Sequence, residues 1–163
     1  MKRCTALALL LCGGLLAATR KWVVKPNGTT KINSRLGAYE ITITTLTREI
    51  PYRANGKASL SDLIKSIQCT GEDPCIITSR MVIKINHKLL YSGVPSYGDI
   101  HYIALALKRG ILNIEILGGD AIHSYNIVYK ITNGMILEKD KYDGEDPNHP
   151  YEICRYYNII LGP

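Results

Sequence analysis

Catalysis would have to come from four histidines and the acids and hydroxyls near them. His87, His123 and His149 fall in or beside predicted loops, and His101 begins a predicted strand. Asp99 adjoins His101, and Asp120 stands three residues before His123. Either acid could orient an imidazole as a general base, with Ser96 or Ser124 as the nucleophile it activates. The Gly-x-Ser-x-Gly turn that would expose such a serine is missing. Carboxylates beside histidines in surface loops are ordinarily solvated, so no catalytic residue is assigned. A small secreted hydrolase built on these histidines stands as the alternative. Cys154 is a poor nucleophile, because its predicted strand supplies nothing that would lower a thiol pKa.

Metal and phosphate chemistry fare no better. No second close pair of cysteines or histidines completes a tetrahedral zinc set with Cys69 and Cys75. Asp140, Asp143, Glu145 and Asp146 offer hard oxygens for calcium. Their spacing lacks the alternating ligand positions and closing glutamate of a calcium loop. Gly118-Gly119-Asp120 is not followed by a helix whose N-terminus could hold a phosphate. No metal and no cofactor is expected.

The loop most suited to binding is Ser92-Gly93-Val94-Pro95-Ser96-Tyr97. It offers small hydroxyls and one aromatic between two strands, a way to plug an enzyme cleft. It resembles, with Pro95 intervening, the Ser-Gly…Tyr loop of bacterial periplasmic lysozyme inhibitors, which are small exported β-sheet proteins. The resemblance covers about six residues. It implies that Ser92, Gly93 and Tyr97 enter a partner's active site, with Lys108 as a second contact.

The first residues speak to compartment. Met1-Lys2-Arg3 is a basic head, Thr5 to Ala18 is apolar or small, and polarity returns at Thr19-Arg20-Lys21. That order is a secretory leader, and its apolar run is shorter than the ~20 residues a spanning helix needs. Cleavage is expected near Ala18 or Thr19. An uncleaved anchor is the alternative, and only that form would meet a membrane. Lipidation at Cys12 is disfavoured by bulky Leu11 just before it.

The full chain has 163 residues and a formal charge of +6. Removing residues 1–19 leaves about 144 residues at a net charge near +4, one ordinary domain. The basic residues are scattered rather than clustered among aromatics, so nucleic acid is not expected as a partner. A modest attraction to acidic surfaces follows from the sign of the charge. Cys69 and Cys75 bracket a Gly/Pro-containing loop and could form a disulfide in an exported protein. A bond to Cys154 is the other possibility. If Cys69 and Cys75 pair, Cys154 is either buried or joins two molecules. Asn27-Gly28-Thr29 fits a glycosylation acceptor and also reads as a turn.

The elements that must position these residues are mostly strands. Tyr39, Ile41 and Ile43 alternate with Glu40, Thr42 and Thr44, and the parity changes at Leu46, which predicts a bulge. Ser59 or Ser61 caps one short predicted helix with Leu60, Leu63, Ile64 and Ile67 on a stripe. Beyond Cys75 the alternation gives strands around Met81–Ile85, Leu89–Tyr91, Leu112–Ile116, Tyr125–Ile131 and Tyr151–Ile159, with Ile100–Leu107 apolar on both sides. Asn133-Gly134 signals a two-residue hairpin.

The expected fold class is mainly β: an antiparallel β-sandwich or open barrel with one short α-helix. The expected division is a signal peptide over 1–19, a loose N-terminal segment over 20–37 and a single β-rich domain over 38–163. The expected function is non-catalytic binding of a protein or envelope component through loops, with inhibition of a secreted hydrolase, or immunity to one, as its sharpest form. A structural envelope protein is a further alternative. Fractionation of cells expressing the full chain should recover a shortened, soluble form outside the cytoplasm. Recovery of the intact chain in the membrane fraction would instead establish the anchor.

Overall fold

The computed structural model describes residues 19–50, 75–119 and 124–156. The leader, the expected helix, Cys69, His123 and the end of the expected last strand lie outside the described residues. Among the described residues there are ten strands: β1 (Arg20–Val23), β2 (Gly28–Leu36), β3 (Tyr39–Ile50), β4 (Cys75–Ile85), β5 (Lys88–Gly93), β6 (Ile100–Lys108), β7 (Ile111–Gly118), β8 (Tyr125–Thr132), β9 (Met135–Asp143) and β10 (Glu152–Arg155). They form a six-stranded sheet, β1-β6-β7-β8-β9-β10, and a four-stranded sheet, β2-β3-β4-β5. Every ladder is antiparallel. The chain is therefore mainly β, as its alternation implies.

One hydrophobic cluster joins the two sheets. The four-stranded sheet contributes Ile32, Ile41, Ile43, Met81, Ile83 and Ile85, and the six-stranded sheet contributes Ile103, Leu105, Leu112, Ile114, Ile116, Ile127 and Ile131. β-Branched isoleucine suits this role, because its restricted side chain packs well on a pleated surface. The interior place of β6 between β1 and β7 explains its two apolar faces. Ile103 and Leu105 enter the core, while Ala104 and Ala106 are buried on the opposite side.

Two expectations change. Residues 20–37 are not loose: they are β1, β2 and the turn between β2 and β3, held by nine register pairs from Gly28↔Thr47 to Leu36↔Tyr39. Their polarity misleads because β1 buries no side chain fully and β2 buries only Thr30, Ile32 and Leu36. The alternation of β3 also runs unbroken past Leu46. Thr45 and Thr47 are buried at 1% and 2% exposure, while Leu46 is 42% exposed. The irregularity sits on the partner strand, where Leu46 pairs with Arg80 and Thr47 with Thr78, leaving Ser79 as the extra residue. Thr47 can be buried because its hydroxyl donates to the carbonyls of Lys25 and Gly28.

The connections sort to two ends. At one end lie four two-residue turns: 37–38, 86–87, 109–110 and 133–134. Asn133 and Gly134 both take positive φ, at 49° and 73°, the backbone a tight right-twisting hairpin requires. Gly37 is fixed by crowding as well, since a Cβ there would stand 2.9 Å from Leu107 Cδ2. The Tyr39 hydroxyl donates to the Gly110 carbonyl at 3.2 Å and ties the turns of the two sheets together. The longer connections, including 94–99 and 144–151, gather at the other end.

The outer face of the six-stranded sheet carries a compact ionic network. Lys130 Nζ lies 2.6 Å from both Glu138 Oε1 and Asp140 Oδ2, and Arg155 Nε lies 3.0 Å from Glu138 Oε2. Burial alone would lower the Lys130 pKa, but its bonds to Asp140 and Glu138 outweigh that and hold it above the usual lysine range. The same contacts from Lys130 and Arg155 lower Glu138 from 4.5 to about 2. A depressed carboxylate stabilises the fold above its unfolded pKa, and the contribution is lost as pH falls through its folded value. Stability should therefore drop between about pH 4.5 and pH 2. Urea titrations across that window should show a shallower drop for Glu138→Gln, and an identical slope would remove this residue from the acid response.

Candidate functional site

The inward isoleucine rows fix which residues the four-stranded sheet turns to solvent. A one-residue slip would invert every side chain, so burial of Ile32, Ile43 and Ile83 commits their neighbours to the outer face. Register then arranges those neighbours in rows across the sheet. One row is Thr29, Leu46 and Arg80; the next is Lys31, Thr44, Val82 and Ser92; the third is Asn33, Thr42, Lys84 and Leu89. All of them but Asn33 line a shallow, open depression. Threonine and valine hold its centre, Leu46 and Leu89 remain 42% and 62% exposed, and three cations surround them. Strands lie ~4.8 Å apart, so the backbone positions of Lys31 on β2 and the two cations on β4 are separated by roughly 10 Å across the sheet.

The electrostatics of this face contrast with those of the opposite side. On the six-stranded sheet, Lys130 and Arg155 are neutralised by Glu138 and Asp140, and Lys108 approaches Glu115 at 3.9 Å. On the four-stranded sheet, no carboxylate among the described residues pairs with Lys31, Arg80 or Lys84. Glu40, on the same face, is taken up by His87 at 2.9 Å. Among the described residues this sheet therefore presents uncompensated positive charge above a hydroxyl-rich and partly apolar floor. Such a combination is complementary to an acidic surface.

The expected loop site is dispersed. Ser92 is exposed and belongs to the face just described, opposite Val82. Gly93 pairs with Met81 and is not among the glycines at positive φ, so its backbone is ordinary strand. Tyr97 is 9% exposed and lies in the core cluster, its hydroxyl 3.0 Å from that of Tyr129. It cannot be the projecting aromatic of an inserting loop. The connection from β5 to β6 turns inward instead, carrying Pro95 and Tyr97 beneath the larger sheet and leaving Val94 and Ser96 outside. Lys108 stands at the tight-turn end, roughly 27 Å of extended strand from the start of β6.

The tyrosines account for a core without phenylalanine. Tyr97 and Tyr129 bond to each other, Tyr125 donates to the Gly98 carbonyl and Tyr39 to the Gly110 carbonyl, so the hydroxyl of each of these four tyrosines has a partner. Burial is the leading cause that raises the pKa of Tyr97 and Tyr125, and it pushes Tyr129 up to about 12. These phenols stay protonated and act as core side chains, not as acids or bases near neutrality.

The histidines pair with acids at separate places. His87 meets Glu40 at the turn end, His101 meets Asp99 at 3.2 Å and His149 meets Asp146 at 3.1 Å. Among the described residues no group of three or more His, Cys, Asp or Glu side chains could hold a metal ion. The Cys154 thiol is free and its pKa is raised, first by its hydrogen bond to Glu152. Whether Cys75 pairs with Cys69 falls outside the described side chains.

Compared with known proteins, the chain matches no family model, no curated protein and no solved structure. The three cations of the outer face were hidden in sequence because they fall on two distant strands. Their one signal was parity, since Lys31 and Lys84 adjoin inward isoleucines and Arg80 adjoins inward Met81.

The placement of Tyr97 yields a direct test. Truncating a buried aromatic leaves a cavity, so Tyr97→Ala should destabilise the protein by about 3 kcal/mol or more. Tyr97→Phe, which loses only the hydroxyl pair, should cost about 1 kcal/mol. Equilibrium urea unfolding reads both, and an unchanged midpoint for the alanine variant would return Tyr97 to the surface.

Proposed function

We propose that this chain is an exported, non-catalytic binding protein that engages an acidic protein surface through the outer face of its four-stranded sheet. The observation that carries the reading is the uncompensated charge of Lys31, Arg80 and Lys84 around Leu46, Val82 and Leu89. Like-signed charge steers an oppositely charged partner and suppresses wrong ones, while the apolar floor supplies the non-directional part of the affinity. Aromatics are missing from the residues lining the depression, which removes the stacking platform a sugar or base would use. Inhibition of a secreted hydrolase remains the sharpest form of the proposal, with the sheet face covering an acidic rim rather than Tyr97 filling a cleft. The architecture that accompanies it is a β-sandwich: the sheets share one core, but no ladder among the described strands joins them into a closed barrel.

The test compares the wild-type chain with the triple variant Lys31→Glu, Arg80→Glu and Lys84→Glu. Immobilised wild-type protein should capture a discrete acidic protein from envelope extract, and that purified protein should bind the variant more than tenfold more weakly, chiefly through slower association. Affinity for the wild type should also fall as salt is raised, because exposed charges are screened. Equal binding by both forms would eliminate this face. Turnover of a hydrolase substrate that disappears in His101→Ala would establish the enzyme alternative.

A further inference from the structure

We propose that β10, the outer edge of the six-stranded sheet, pairs antiparallel with β10 of a second copy. This is independent of the binding face, which belongs to the other sheet. Among the described residues no strand pairs with the far side of β10. Free edges are normally protected by charge, above all by lysine. The other three edges follow that rule: β1 carries Arg20 and Lys21, β2 carries Lys31 and Arg35, and β5 carries Lys88. β10 does not. Its charges are drawn back onto its own sheet, Glu152 to Lys141 at 2.6 Å and Arg155 to Glu138 at 3.0 Å. Beside Arg155, whose side chain is exposed but held against Glu138, the edge exposes Tyr151 at 64%, Ile153 at 47% and Tyr156 at 45%.

An antiparallel copy can add to this edge in alternative registers. Hydrogen bonding selects the register. The Tyr156 N–H donates to the Leu137 carbonyl of β9. Amides alternate in direction along a strand, so those of Ile153 and Arg155 point to the free edge. Pairing Ile153 with Arg155 of the second copy, twice about a two-fold axis, uses all four outward groups of the strand. Centring on Ile153 would use only two of them.

That register places Cys154 opposite Cys154 of the second copy at a non-hydrogen-bonded position. The Cα separation there is about 4.5 Å, within the range a disulfide spans. Cys154 therefore reports on the interface. With oxidised glutathione as the disulfide oxidant, both thiols lose their protons, one Sγ–Sγ bond forms and the oxidant is reduced to two thiols.

The experiment uses the full chain. Sedimentation velocity in reducing buffer should show a concentration-dependent dimer. Ile153→Pro deletes an outward N–H without touching a bond to β9, and Ile153→Lys restores the usual edge protection. Each should weaken self-association at least tenfold, and near-equal circular dichroism spectra would establish that both still fold. Peptide mapping after treatment with oxidised glutathione should find Cys154 linked to Cys154. A monomer at every concentration, a dimer that both substitutions leave unchanged, or Cys154 joined to another cysteine of its own chain would each overturn the proposal.

Discussion

The packing of isoleucine against isoleucine between the two sheets is the constraint from which the other features follow. Ile32, Ile41, Ile43, Ile83 and Ile85 on one side meet Ile103, Ile114, Ile116, Ile127 and Ile131 on the other, each at 2% exposure or less. Removing one such side chain to alanine leaves a cavity that costs about 2–5 kcal/mol, a large share of the stability of any single domain. Because strand side chains alternate, this contact also dictates the opposite face of every strand. The cations of the four-stranded sheet are where they are because the isoleucines between them are buried.

The two outer faces then diverge for electrostatic reasons. The larger sheet gathers Lys130, Glu138, Asp140 and Arg155 into ion pairs that offset one another's charge, with Asp140 only 1% exposed. Removing one partner of the buried Asp140 would be costly. The smaller sheet distributes Lys31, Arg80 and Lys84 over threonine and leaves them to solvent. Its hydroxyl floor allows a partner to displace water without stranding a buried polar group. The separation of tight turns from long connections adds a second asymmetry, since the turn end is fixed by two-residue hairpins and the other end has room for variation.

Much of the fold was legible in the chain. The alternation in β3, β4, β7 and β8, the doubly apolar β6 and the Asn133-Gly134 turn all follow from periodicity and turn chemistry. Edge strands were harder, because β2 reads as polar when only Thr30, Ile32 and Leu36 are buried. Leu46 misled for the opposite reason: hydropathy favours burying leucine, yet buried Thr47 bonds the carbonyls of Lys25 and Gly28, distant in sequence, and Leu46 is left outside. Tyr97 misled most. A loop residue flanked by Ser96 and Gly98 reads as exposed, and only the distant Tyr129 hydroxyl makes its burial affordable in hydrogen-bond terms. The proposed binding face was not legible at all as a site, because its three cations come together through strand pairing between β2, β3 and β4.

The most direct measurement is a map of backbone amide chemical shifts during titration with poly-aspartate, used as a plain acidic probe. If the outer face of the four-stranded sheet is the binding surface, shifts should concentrate at residues 29–33, 42–46 and 80–84 and fade as salt rises. Residues 94–99 and 144–149 at the loop end should stay still. Shifts confined to those loops, or spread evenly over every exposed lysine and arginine, would contradict the account.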